Sequence, residues 1–144
     1  MTETYHIYGF GVELSHLGEI SLGRLEQLID MAPIFKSKIL KWFEEEKVDN
    51  PTLENYYEYD EENLGLPTLL KEVIFELEGI DLTACEDLNN GQYLLYEEKY
   101  PWNMTTIDCF MTPERLSNIY RKYIKVISDS LDYVIEYHGV EGTC

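Results

Sequence analysis

The chain has 144 residues, of which 28 are Asp or Glu and 11 are Lys or Arg, giving a formal net charge of -17 at pH 7. A field of that sign repels nucleic-acid phosphates and anionic lipid, so direct nucleic-acid binding and membrane binding are not expected. Hydrophobic residues at 44% and aromatic residues at 13%, 12 of them Tyr, exclude the aromatic-poor composition of disordered acidic chains.

The length fits one folded domain over residues 1–144. The opening Met1-Thr2-Glu3-Thr4-Tyr5 lacks a basic n-region, and nowhere do ~18 apolar residues follow one another. Cys85, Cys109 and Cys144 form an odd set without C-x-x-C spacing, which fits reduced thiols better than a disulfide framework. The expected location is therefore cytoplasmic, in a bacterium or a phage-infected host.

In chain order, residues 3–13 mix Tyr5, Ile7, Tyr8, Phe10 and Val12 with Gly9 and Gly11. They read as an opening strand whose glycines permit a bulge or a close backbone approach. Leu22, Leu25, Ile29 and Ala32 recur at helical spacing. Pro33 breaks the pattern before a second helix that buries Phe35, Ile39, Trp42 and Phe43, and the two suggest a helical hairpin. Asp49-Asn50-Pro51 interrupts again, and residues 50–63 hold too few aliphatic side chains to build a buried face. A loop or a short surface helix is expected there.

Pro67 opens a third helix with Leu69, Leu70, Val73, Ile74 and Leu77 as its apolar stripe and Gly79 as its stop. Residues 81–87 and 92–99 flank Asn89-Asn90-Gly91, in which Asn-Gly is a hairpin signal because both residues accept positive φ. Tyr100-Pro101-Trp102 ends the second of these strands. Thr112 as N-cap and Pro113 at the first helical position open the last helix, with Leu116, Ile119, Tyr120, Tyr123, Ile124 and Ile127 on its buried face. Tyr133, Val134, Ile135 and Tyr137 read as a closing strand before a glycine-bearing tail. The fold class implied is α+β: a small mixed or antiparallel sheet of about four strands covered by about four helices.

The acidic residues are unevenly placed. Glu44, Glu45, Glu46, Asp49, Glu54, Glu58, Asp60, Glu61 and Glu62 crowd one stretch whose single base is Lys47. Carboxylates spaced at ~5 to 7 Å imitate the phosphates of a nucleic acid. Tyr56, Tyr57 and Tyr59, interleaved with them, are expected to give a partner large contact area at low entropy cost. The bland alternative is a solubilising surface with tyrosines covering the domain edge. Arg115, Arg121, Lys122 and Lys125 gather on the last helix, where a solvated face is the ordinary explanation.

No catalytic residues and no cofactor are expected. His6, His16, His138, Cys85 and Cys109 show no recognised spacing, although His6 and His138 would be neighbours if the terminal strands pair. The stretch 49–62 lacks the glycine and spacing of a calcium loop, and Gly9 and Gly11 are only a fragment of a nucleotide-binding motif. No metal site follows.

In size, acidity and absence of catalytic motifs the chain resembles small inhibitors of two types. These are phage-encoded DNA mimics, such as anti-CRISPR and anti-restriction proteins, and bacterial immunity proteins that neutralise toxin nucleases. Tyr5-His6-Ile7-Tyr8-Gly9-Phe10-Gly11 looks like an opening found among phage and mobile-element proteins. The resemblance implies a non-enzymatic inhibitor whose partner is a basic, nucleic-acid-acting enzyme such as a nuclease. The alternative from the residues is a small interaction module whose apolar surface centres on Trp102 and Tyr100.

Overall fold

The computed structural model describes residues 4–59, 64–99 and 101–143. Four strands, β1 (Thr4–Glu13), β2 (Thr83–Glu86), β3 (Gln92–Glu97) and β4 (Ile135–Thr143), form one antiparallel sheet in the order β2-β3-β1-β4. Between them lie α1 (Leu22–Asp30), α2 (Pro33–Glu45), α3 (Leu53–Tyr57), α4 (Leu66–Glu78) and α5 (Pro113–Ile127), with 3₁₀ turns at Pro101–Asn103 and Asp108–Phe110. The fold is α+β, with an antiparallel sheet.

The two edge strands of the sheet meet, and on the inner strand β1 Gly9 and Gly11 let the backbone approach β3 closely. A Cβ on Gly11 would lie 2.0 Å from the carbonyl oxygen of Leu94, and one on Gly9 would lie 2.6 Å from that of Tyr96. Only glycine tolerates such approach. The edge strands thereby come together: Cys85 of β2 and Val140 of β4 share one buried cluster with Leu95, packed by Ile7 and Tyr93, and the Leu88 N–H donates to the Glu141 carbonyl at 3.2 Å. The concave face thus closes on itself.

The main core lies on the other face, where Val12 and Leu94 of the sheet meet Leu25, Leu28 and Ile29 of α1, Val73 and Ile74 of α4, and Tyr120, Tyr123 and Ile124 of α5. The Tyr120 hydroxyl donates to the Phe10 carbonyl at 2.9 Å, which satisfies a phenol buried in that layer. Helices α1 and α2 follow one another across Met31 and Ala32.

Four sequence expectations need correction. Helix α3 does bury a face: Tyr56 is 6% exposed and meets Phe43 edge-on with centroids 4.9 Å apart, so tyrosine does the work expected of aliphatic residues. The antiparallel β2–β3 hairpin expected around Asn89-Asn90-Gly91 forms, but of the Asn-Gly pair only Asn90 takes a positive φ. Asn90 has φ 64°, but the loop over residues 87–91 is ordered by Asp87, whose carboxylate accepts the N–H groups of Asn89 at 2.9 Å and Gly91 at 2.7 Å. Strand β4 begins at Ile135 and runs on through Gly139 and Gly142 because it pairs with β1 from Val12 to Thr4. Gly139 takes part because a Cβ there would meet the Tyr8 ring at 2.9 Å. Leu77, expected in the stripe of α4, is exposed.

The glycine argument makes a paired prediction. Gly11→Ala is expected to lower unfolding free energy by about 3 kcal/mol, since the new methyl collides with backbone that cannot move aside. Gly23→Ala, in α1 with nothing within 4 Å of the added Cβ, should instead stabilise by about 0.5 kcal/mol through helix propensity. Urea denaturation of the two variants beside the parent checks both signs.

Candidate binding surfaces

The acidic stretch begins at the C-terminal end of α2. Glu44, Glu45 and Glu46 are exposed there and no basic residue occupies the last turn. Successive helical residues are set about 100° apart, so the three carboxylates fan around the helix end instead of forming a straight row. Asp49 is exposed in the following turn, where Lys47 and Asn50 take positive φ of 58° and 51°. Glu54 and Glu58 stand one helical turn apart at α3, both exposed, with the Glu58 N–H bonded to the Glu54 carbonyl at 3.0 Å. Among the described residues none of these six carboxylates makes an ion pair. Asp60, Glu61 and Glu62 lie outside the described residues.

The interleaved tyrosines face inward. Tyr56 packs on Phe43, while Tyr59 meets Phe35 and Trp42 edge-on with centroids 5.6 Å away in each case. Tyr57 is half-buried and lies against Gly65. Burial raises the Tyr56 phenol above its ordinary value, helped by Glu26 and Asp30, and burial raises Tyr57 too. These rings fasten the acidic segment to α2, and Tyr56 in particular has almost no surface left for a partner. A capping box completes the fastening: the Asn55 N–H donates to the Thr52 hydroxyl, and the Thr52 N–H donates to the Asn55 side chain at 2.8 Å.

The candidate catalytic groups are dispersed. The terminal strands pair, yet His6 is in register with Glu141 and His138 with Gly9. One histidine therefore faces each side of the sheet. The His138 ring meets Tyr93 edge-on at 5.3 Å with its Nε2 buried and unpartnered. Burial, with Glu97 and Asp87 adding to it, pushes the Cys85 thiol up to about 12, which holds it protonated and unsuited to nucleophilic attack. Cys109 is exposed and Cys144 lies outside the described residues. Among the described residues no group of three His, Cys, Asp or Glu side chains is placed to hold a metal ion, and no helix is long and apolar enough to cross a membrane. On α5, Lys122 reaches Glu78 at 3.3 Å, while Arg121 and Lys125 border a shallow depression with Ser128, Asp129 and Tyr133.

A second surface is built around Asp108, which the sequence reading passed over. This residue is 4% exposed. Its carboxylate accepts from the Tyr96 hydroxyl at 2.7 Å, the Thr105 N–H at 2.8 Å, the Thr105 hydroxyl at 3.0 Å and the Lys99 ammonium at 3.1 Å. The Asp108 N–H returns a bond to the Thr105 hydroxyl at 3.2 Å. Thr105-x-x-Asp108 is thus a reciprocal capping pair, and that spacing was the available signal. Burial alone would raise the Asp108 carboxyl, but the Thr105, Tyr96 and Lys99 donors override it and hold it at about 2. The loop that Asp108 pins exposes Trp102, Met104, Ile107 and Phe110. Tyr100 lies outside the described residues.

The depressed Asp108 value gives a signed pH dependence. A carboxyl held below its ordinary value near 3.8 contributes stability that is complete above that pH and lost as pH falls toward about 2. Asp108→Asn should therefore be less stable than the parent by on the order of 1–2 kcal/mol at pH 6, with the difference shrinking between pH 4 and pH 2. Denaturant titrations of both proteins across that range measure it; a difference independent of pH would contradict the assignment.

Comparison with known protein families, with curated proteins and with solved structures finds no match to this chain.

Proposed function

We propose that the protein is a non-enzymatic binding protein whose acidic end, Glu44, Glu45, Glu46, Asp49, Glu54 and Glu58 with Asp60, Glu61 and Glu62 following in sequence, docks on the basic nucleic-acid-binding groove of a nuclease or similar enzyme. The carboxylates act there as phosphate surrogates. The observation that supports this reading is the placement of Glu44, Glu45 and Glu46 at the C-terminal end of α2 with no cation in the last turn. That pole of a helix is already negative, and each carboxylate set there costs about 0.3–1 kcal/mol at low salt. Like charges crowded beside one another add repulsion that Lys41, one helical turn earlier, and Lys47 offset only in part. A surface whose task was solubility could carry the same charges at helix N-termini without that cost. Binding a cationic groove turns the cost into attraction, because the partner supplies the counter-charges that the fold withholds. Long-range steering of a -17 chain toward such a groove raises the rate of encounter at low salt.

Two measurements test the reading together. The triple variant Glu44→Lys, Glu45→Lys, Glu46→Lys should melt a few degrees higher than the parent at low salt, with the gain shrinking as salt is added. Immobilised parent protein should retain, from lysate of the source or its host, a basic nucleic-acid-acting enzyme that salt releases and the triple variant fails to hold. Retention of the same enzyme by the triple variant, or recovery only of neutral proteins insensitive to salt, would sink the proposal.

A further inference from the structure

Strand β4 lies at one side of the sheet, and β1 is its single ladder partner among the described residues. In an antiparallel ladder the N–H and C=O of one residue point to the same side, and the side alternates from residue to residue. The Leu14 N–H donates to the Gln92 carbonyl at 2.7 Å, so Leu14, Val12 and Phe10 turn their backbone groups to β3. Gly11, Gly9, Ile7 and Tyr5 turn theirs to β4, where they meet Glu136, His138, Val140 and Gly142. Ile135, Tyr137, Gly139 and Glu141 are left pointing away from the sheet. The bond that the Glu141 carbonyl accepts from the Leu88 N–H at 3.2 Å agrees with that phase. From Ile135 to Gly139 no described group takes the outward N–H and C=O groups.

Edge strands are ordinarily closed to further pairing by proline, lysine, a bulge or a covering element. Between Ile135 and Gly139 β4 has neither proline nor lysine, and its register with β1 runs unbroken from Thr4↔Thr143 to Val12↔Ile135. Tyr137 and Gly139 are both exposed. The Tyr137 hydroxyl donates to Glu98, on the far side of β1, so its ring lies back over the sheet and leaves the edge open. The complement of such an edge is another strand.

The residues along the edge select which strand. Two copies of β4, antiparallel about a two-fold axis at Tyr137, pair Ile135 of one with Gly139 of the other and Tyr137 with Tyr137. Every outward group from Ile135 to Gly139 is then bonded in both copies. Ile135 covers the bare Gly139, and Glu136 stands across from His138. Sliding the copies by one ladder step pairs Ile135 with Tyr137 and sets Glu136 against Glu136, where like charges oppose pairing. The opposite step pairs Ile135 with Glu141, whose carbonyl Leu88 already occupies. We infer that β4 is a self-association edge, to which a second copy of this chain adds its own β4 and joins the two sheets into one. Nothing in this pairing depends on the acidic end at Glu44, Glu45 and Glu46. Two chains of charge -17 repel one another, so the dimer tightens as salt is added, opposite in sign to the docking of acidic residues on a basic groove.

Sedimentation equilibrium of the full chain should show a monomer–dimer equilibrium with a dissociation constant on the order of 10–100 μM in about 0.5 M salt, weakening severalfold toward low salt. Tyr137→Pro removes the central outward N–H and spares the ladder to β1, since proline is accepted on edge strands. It should weaken the dimer about tenfold or more, because one bond is lost from each copy. Register is read by cross-linking in a Cys109→Ser, Cys144→Ser background, Cys85 being buried. Tyr137→Cys faces itself across ~5.5 Å and should form a disulfide dimer about tenfold faster than Glu136→Cys, whose counterpart is displaced diagonally by ~7–8 Å. Circular dichroism confirms that the variants fold, and the cysteine pair decides alone where the proline variant does not. Four outcomes overturn the inference: a monomer at about 1 mM in about 0.5 M salt, a dimer that loosens with added salt, a dimer that survives Tyr137→Pro, or cross-linking at Glu136→Cys as fast as at Tyr137→Cys. The first of these would leave the edge to a strand of a different protein.

Discussion

The approach of β1 to β3 at Gly9 and Gly11 is the constraint from which the rest of the molecule follows. With no side chain at either position, the backbone of the central strand comes close enough to β3 for the sheet to curl until β2 and β4 meet. The concave side is filled by Leu95, Cys85 and Val140 with Ile7 and Tyr93, a cluster drawn from strands alone among the described residues. The helices pack on the other side, where α4 meets β2 and β3, α5 meets β1, α1 packs on α5, and α2 packs on α1 and α4 through Phe35, Ile39 and Phe43. Helix α2 with α3 is left as an outer layer carrying the densest charge, which is how a local backbone requirement ends by displaying the acidic segment at the periphery.

An outer layer needs fastening, and the fold does this with side chains that reach across elements to bare backbone ends. Helix α2 has Ala32 at its N-cap, with no side chain to accept a hydrogen bond. Glu76 of α4 takes that place, accepting the N–H groups of Phe35 at 2.7 Å and Ile34 at 3.1 Å and setting a negative charge at the positive pole of the helix. At the other extreme, Arg24 of α1 donates to the carbonyls of Lys125 at 2.8 Å and Val126 at 3.0 Å, capping the end of α5 while pairing with Asp129. The carboxylates of this chain thus fall into two sets: those like Glu76 and Asp108 that are bound into the fold, and those like Glu45 and Glu54 that the fold leaves without a counter-charge.

Elements with punctuation at both ends were legible in the sequence. Pro67 and Gly79 bracket α4, and Thr112 with Pro113 starts α5, because each of those residues has one strong backbone preference that tertiary packing does not override. What escaped notice depended on partners distant in sequence. The burial of Tyr56 needs Phe43, the length of β4 needs the register with β1, and the role of Asp108 needs Tyr96 and Lys99. The exposed acids at Glu44, Glu45, Glu46, Asp49, Glu54 and Glu58 were readable as surface, since nothing in the local sequence could neutralise them. The tyrosines among them were misleading for a physical reason: a tyrosine next to carboxylates satisfies an interface and a wet core edge equally well, and only the neighbouring Phe35, Trp42 and Phe43 decide between the two.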